Sequence, residues 1–176
     1  MRIFLIGMPG SGKSYWSHQL SDLLHYEQAD MDRVIETREG SSIPQLFTIG
    51  EQYFREKERE ALQAILEEFS DKIVVATGGG APCYKDNLQV MKTAGCVLYL
   101  ETPTEALLAN IEQQGLERPL LANGNRQELA EKLSQLYRQR KEIYEQAHGK
   151  IDTVTANLST FAATLEHYLS DNNLSL

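Results

Sequence analysis

The run Gly7-Met8-Pro9-Gly10-Ser11-Gly12-Lys13-Ser14 constrains this chain more than any other stretch of its sequence. It matches the pattern G-x-x-x-x-G-K-[ST], and it has the surroundings that the pattern needs. Residues 2–6 form a short apolar run that reads as a buried strand. Residues 14–24 carry apolar side chains at Trp16, Leu20, Leu23 and Leu24, the spacing of one helical face. A glycine-rich turn between strand and helix lets the backbone wrap close around phosphates with its N–H groups inward, and the helix adds its positive end. Gly10, Ser11, Gly12, Lys13 and Ser14 are therefore the expected ATP-binding residues, with Lys13 a mobile charge for the β- and γ-phosphates. The Ser14 hydroxyl is placed to ligate Mg²⁺. The rival reading, a turn that merely needs glycine, requires a chance match and a chance placement together.

Strands and helices alternate along the rest of the chain, the pattern of a parallel α/β sheet. Further strands are expected over residues 26–30, 73–77, 96–101 and 151–155. Helices are expected over 51–69, from Thr102-Pro103 onward, over 127–147 and over 159–169, with a frayed tail at 171–176. Residues 32–50 carry a helical pattern between a strand and a long helix, as an insertion would. Residues 114–126 mix Gly, Asn and Pro with basic side chains and read as a mobile loop. The implied fold is a P-loop NTPase fold: one domain over residues 1–176, with a central parallel sheet of about five strands flanked by helices.

Composition excludes several classes. A net charge of −8 argues against a nucleic-acid partner, although a few arginines focused in a cleft still hold a small anion. Cys83 and Cys96 are too few for a disulfide framework or a zinc cluster and are expected as buried or half-buried thiols. The four histidines lack metal spacing, and Trp16 is expected in the core. No signal peptide is recognisable, and no apolar stretch approaches the ~20 residues that span a bilayer. The expectation is a cytoplasmic protein with no membrane partner.

The phosphate loop alone does not separate kinases from GTPases or ATPase switches. The Asn-Lys-x-Asp signature of GTPases is absent from the sequence. The strand over 73–77 ends in Gly78-Gly79-Gly80, with no carboxylate at its tip to support a metal. The nearest alternative is Asp30, at the end of the second strand, because strand C-termini of an open parallel sheet face one crevice.

Six motifs then occur in order. They are the phosphate loop, Asp30-x-Asp32, Gly50-Glu51-x-x-Phe54-Arg55-x-x-Glu58, Thr77-Gly78-Gly79-Gly80, Arg118-Pro119-Leu120-Leu121 and Arg140-x-x-x-Tyr144. In this order and spacing the chain resembles the shikimate kinases, over nearly its whole length. The resemblance implies a nucleoside-monophosphate-kinase-like core with a substrate-binding insertion at about 32–60 and a lid at about 114–126. It implies a monomer that uses ATP and Mg²⁺ to phosphorylate the 3-hydroxyl of shikimate. Asp32 would bind the substrate hydroxyls and act on the attacking one as base or orienter; one carboxylate suffices where catalysis is mainly positioning and charge neutralisation. Asp30 would support Mg²⁺. Arg55 and Arg140 would clamp the substrate carboxylate with their planar forks. Gly78, Gly79 and Gly80 would line the substrate, and Arg118 would close over ATP as a catalytic and nucleotide-binding residue.

Plainer roles stand beside these. Arginines on charged helices are usually solvated, Asp30 and Asp32 suit helix caps, and three glycines suit a tight turn. Tyr15 stands where many relatives have threonine, Glu142 where a proline usually precedes the tyrosine, and residues 155–159 lack the usual proline. These departures bear on nucleotide preference and helix geometry rather than on reaction class. Two alternatives remain open: another small-molecule kinase of this fold, acting on gluconate or a nucleoside monophosphate, or a nucleotide-dependent regulator without turnover.

Overall fold

The computed structural model of the chain describes residues 1–114 and 125–173. Its centre is β1 (Arg2–Ile6), whose Ile3, Phe4, Leu5 and Ile6 are all fully buried. Strand side chains alternate between faces, so this one run feeds two cores. Ile3 and Leu5 join Leu20, Phe161 and Leu165 on one side. Phe4 and Ile6 join Leu62, Ile65, Met91 and Leu133 on the other.

The remaining elements, in order, are α1 (Lys13–Leu24), β2 (Glu27–Asp30), α2 (Met31–Glu39), α3 (Ile43–Ile49), α4 (Glu51–Glu68) and β3 (Ile73–Ala76). A 3₁₀ turn (Ala81–Cys83), α5 (Asn87–Ala94), β4 (Gly95–Glu101), α6 (Thr104–Gln114), α7 (Arg126–Tyr144), β5 (Gly149–Asp152) and α8 (Leu158–Asp171) follow. The five strands are parallel in the order β2-β3-β1-β4-β5, with Leu5 level with Ala76 on one side and Leu98 on the other. Helices α1 and α8 cover one face of the sheet, and α4, α5 and α7 the other. Parallel strands end together, so Gly7, Asp30 and Thr77 meet at one edge.

The expected α/β class holds, and several boundaries move. The last strand runs over Gly149–Asp152 rather than 151–155, because Gly149 pairs with Leu98 and the Asp152 carboxylate turns the chain by accepting the Val154 N–H at 3.0 Å. The seventh helix ends at Tyr144 rather than 147. Helix α5 was not expected; at eight residues, with only Asn87, Leu88 and Met91 buried, it is too short to show a period. Residues 32–50, read as helical, form α2 and α3 around Gly40. Cys96 is buried in β4 as expected, whereas Cys83 ends the 3₁₀ turn and is exposed, a correction to its expected burial. Trp16 is half-buried, its ring 4.8 Å from Phe161. No helix among the described residues is long and apolar enough to cross a membrane.

Candidate active site

Residues 7–12 turn from β1 into α1, and the N-terminus of α1 carries no side-chain cap on Gly12. Its first N–H groups are therefore open to an anion. Gly10 has φ +84°, in the left-handed region, and a Cβ there would press on Ile111 at 2.9 Å. Glycine is required on both counts. Asn110 of α6 donates to the Gly10 carbonyl at 2.8 Å and ties the loop from behind. Lys13 is buried and folds back over the loop, donating to the carbonyls of Gly7 at 3.0 Å and Met8 at 2.8 Å. The loop's own carbonyls thus hold the ammonium within the loop.

Ser14 donates to the Asp30 carboxylate at 2.5 Å, while the other Asp30 oxygen accepts the Asp32 N–H at 3.1 Å and caps α2. The cap leaves the other oxygen free for Ser14, so one carboxylate serves both the helix start and the serine. Two protein oxygens side by side at a phosphate loop suit Mg²⁺, which keeps several waters and takes phosphate oxygens. A cleft lined by Gly12, Lys13, Ser14, Tyr15, Asp30, Asp32 and Thr77 joins these groups.

Across this cleft the charges are buried. Arg55 and Arg140 are 8% and 6% exposed, which removes the reading of either as a solvated surface arginine. Arg55 donates to Glu58 at 2.6 Å and to Glu51 at 2.9 Å, and its guanidinium lies 5.5 Å from the Phe54 ring. Burial works against the Arg55 charge, but Glu58 and Glu51 outweigh it and hold its pKa above the usual range. Glu58 is 1% exposed. Burial pushes its carboxyl up to about 7 against the pull of Arg55 and Arg140, and the charge of Asp32 adds to the rise. The triple glycine closes over these side chains. A Cβ on Gly78 would strike the Glu58 carboxylate and lie 3.5 Å from Asp32, one on Gly80 would strike the Arg55 guanidinium, and one on Gly79 would meet Pro9 at 3.1 Å.

Asp32, Arg55, Arg140 and Gly78–Gly80 are thus drawn together beside Lys13, Ser14 and Asp30. Arg118 lies outside the described residues, as does most of the expected lid at 114–126. Sequence reasoning quoted Glu58 and Tyr144 within motifs without giving either a role. The signal for Glu58 was available: with Phe54, Ala61, Leu62 and Ile65 it falls on the apolar stripe of α4, where a carboxylate needs a buried partner.

The phosphate loop on a five-stranded parallel sheet, with a buried set of arginines and carboxylates opposite, defines a P-loop kinase of small molecules. The family model for shikimate kinase matches residues 9–170. A shikimate kinase from Clostridium botulinum (strain 657 / Type Ba4) is 45% identical over 148 residues, covering 83% of this chain and 84% of its own. The solved shikimate kinase from Acinetobacter baumannii in complex with shikimate superposes with a TM-score of 0.85 at 33% identity, covering 99% of this chain and 95% of its own. That from Bacteroides thetaiotaomicron gives a TM-score of 0.84 at 29% identity, covering 99% of both chains. The chain belongs to the shikimate kinase family.

Proposed function

We propose that this chain transfers the γ-phosphoryl group of ATP to the 3-hydroxyl of shikimate, with Asp32 beside the attacking oxygen and Arg55 and Arg140 on the substrate carboxylate. The observation that carries the reading is the burial of two arginines around the buried Glu58, close enough to Asp32 for its charge to act on Glu58, beside the cleft of the phosphate loop. Glu58 and Glu51 pair with Arg55, and an incoming carboxylate would give both buried guanidiniums a further charge-assisted partner. The substrate hydroxyl attacks the γ-phosphorus, the bond to the ADP oxygen breaks, and the hydroxyl proton leaves towards Asp32. Lys13, released from the Gly7 and Met8 carbonyls, follows the charge on the β- and γ-phosphates. Ser14 and Asp30 would hold Mg²⁺, which neutralises phosphate charge when bound. Arg118 and residues 114–126 act as the lid that excludes water. The charge of −8 speaks against a nucleic-acid partner, and the cytoplasmic monomer without a membrane partner is part of the same proposal, resting on the family resemblance.

The test is a coupled ADP-release assay with Mg-ATP, comparing shikimate with gluconate, nucleoside monophosphates and no acceptor. Shikimate-dependent turnover is expected. Turnover with another acceptor, or with none, overturns the acceptor pocket while leaving the phosphate loop intact.

A further inference from the structure

Tyr144 takes no part in the chemistry above, yet it is fully buried where three elements meet. Its ring stacks on Tyr99 of β4 with centroids 5.2 Å apart. Its hydroxyl donates to the Gly79 carbonyl at 2.5 Å and accepts from Arg140, one turn earlier in α7. The Met8 sulfur, 3.9 Å away, is a much weaker competitor for the single phenolic proton. Phenylalanine would fill the same core volume, so the hydroxyl needs its own explanation.

The Gly79 carbonyl and the Gly80 N–H belong to one planar trans peptide. Holding the carbonyl from the α7 side turns the Gly80 N–H away from Tyr144. Gly79 is wedged against Pro9 of the phosphate loop, and Gly80 lies against the Arg55 guanidinium. Asn87, fully buried, donates to the Ala81 carbonyl at 2.9 Å and holds the far end of the same turn. The turn is therefore held at both ends, with Tyr144 as the tie to the helix that carries Arg140.

We infer that Tyr144 is a positioning residue for the acceptor: its hydroxyl sets the Gly79–Gly80 peptide and the Arg140 guanidinium in register with each other. The inference rests on the reading of Arg140 and the triple glycine as acceptor-binding groups. Without the hydroxyl, the Gly79 carbonyl loses its donor and Arg140 loses the contact that fixes its rotamer.

Tyr144→Phe keeps the ring and its stacking on Tyr99. The KM for shikimate, and its Kd by calorimetry, should rise about tenfold, as expected for one buried hydrogen bond, while the KM for ATP stays within about twofold. A variant that melts at lower temperature but keeps the wild-type KM for shikimate would make the hydroxyl purely structural and overturn the inference. Equal losses toward ATP and shikimate would overturn it as well. Arg140→Lys separates this inference from the reading beneath it. If Arg140→Lys leaves the shikimate KM unchanged and Tyr144→Phe raises it, the carboxylate clamp fails and the fixing of the glycine turn stands. If Arg140→Lys raises it and Tyr144→Phe does not, the clamp stands and the inference falls.

Discussion

The two halves of the cleft are built in opposite ways. The phosphate half is one contiguous run, residues 7–14, that presents backbone N–H groups and a lysine held by its own loop's carbonyls. The proposed acceptor half is assembled from Asp32, Arg55, Glu58, Gly78–Gly80 and Arg140, which come from four separate stretches of chain. Arg55, Glu58 and Arg140 are buried, and Arg55 and Glu58 pair with each other before any substrate arrives. The first half depends on local backbone geometry and the second on tertiary packing and a balance of charge. Substitutions that remove charge should therefore damage acceptor binding and stability together, while nucleotide binding persists.

The largest effect is expected from Asp32→Asn, which keeps the volume but removes the carboxylate proposed to stand beside the attacking oxygen. Loss of a positioned general base or orienter typically lowers kcat by about 10²–10⁴. The KM for ATP should stay within a few-fold, because the phosphate half is untouched. A near wild-type kcat in steady-state assays would remove Asp32 from the chemistry and blur the division between the halves.

Next comes Arg55→Ala. Truncating one partner of a buried, charge-assisted contact costs about 2–5 kcal/mol, so the KM for shikimate should rise on the order of a hundredfold. ATP binding should be nearly intact, and equal loss of both would move Arg55 out of the acceptor half. The same substitution takes from buried Glu58 its hydrogen-bonded cation and leaves only Arg140 nearby, a loss of up to about 3–5 kcal/mol in folding. Arg55→Met combined with Glu58→Gln should recover much of that stability without recovering shikimate affinity. Denaturant melts of the single and double variants test this; no recovery in the double variant would mean that packing, not charge, holds α4 in place.

This contrast also explains what was legible. The phosphate loop, the strands that flank it and the sheet class follow from local pattern, because a glycine-rich turn between an apolar run and an amphipathic helix has few alternatives. Asp30 and Asp32 were legible as strand-end residues, and the serine–carboxylate contact at 2.5 Å agrees with that placement. The burial of Arg55 and Arg140 was not legible from charge alone, since most helical arginines are solvated. The stronger clue was position: Glu58 lies on the apolar stripe of α4, and Arg140 and Tyr144 share a buried face of α7 with Leu133. Helix α5 and the 3₁₀ turn escaped because short elements show no period. The role of Tyr144 escaped because its partner, Gly79, is 65 residues away and is contacted through backbone.

The smallest effects separate the proposed acceptor half from the sheet edge remote from the cleft, by the sign of their pH dependence. Burial pushes Glu58 from an ordinary 4.5 to about 7. Between those values the folded chain keeps a proton that the unfolded chain has released, so Glu58 makes stability fall as pH rises through that window. The slope is at most about 1.4 kcal/mol per pH unit for one proton. His148, remote from the cleft beside β5, acts the other way. Its Nδ1 accepts the Val97 N–H at 3.1 Å, and burial holds its pKa below the ordinary 6.5. The unfolded chain then binds a proton that the folded chain refuses, so His148 makes stability fall as pH drops below 6.5. The two slopes oppose where their windows overlap, and the wild-type urea midpoint should vary little there. Glu58→Gln should leave a curve that declines only toward acid. His148→Asn, which keeps an acceptor for Val97, should leave one that declines toward neutral pH. If Glu58→Gln leaves the wild-type curve unchanged, Glu58 is ionised throughout this range. The arginines would then outweigh burial, and the acceptor half would wait for its substrate as a true ion pair rather than as a half-protonated one.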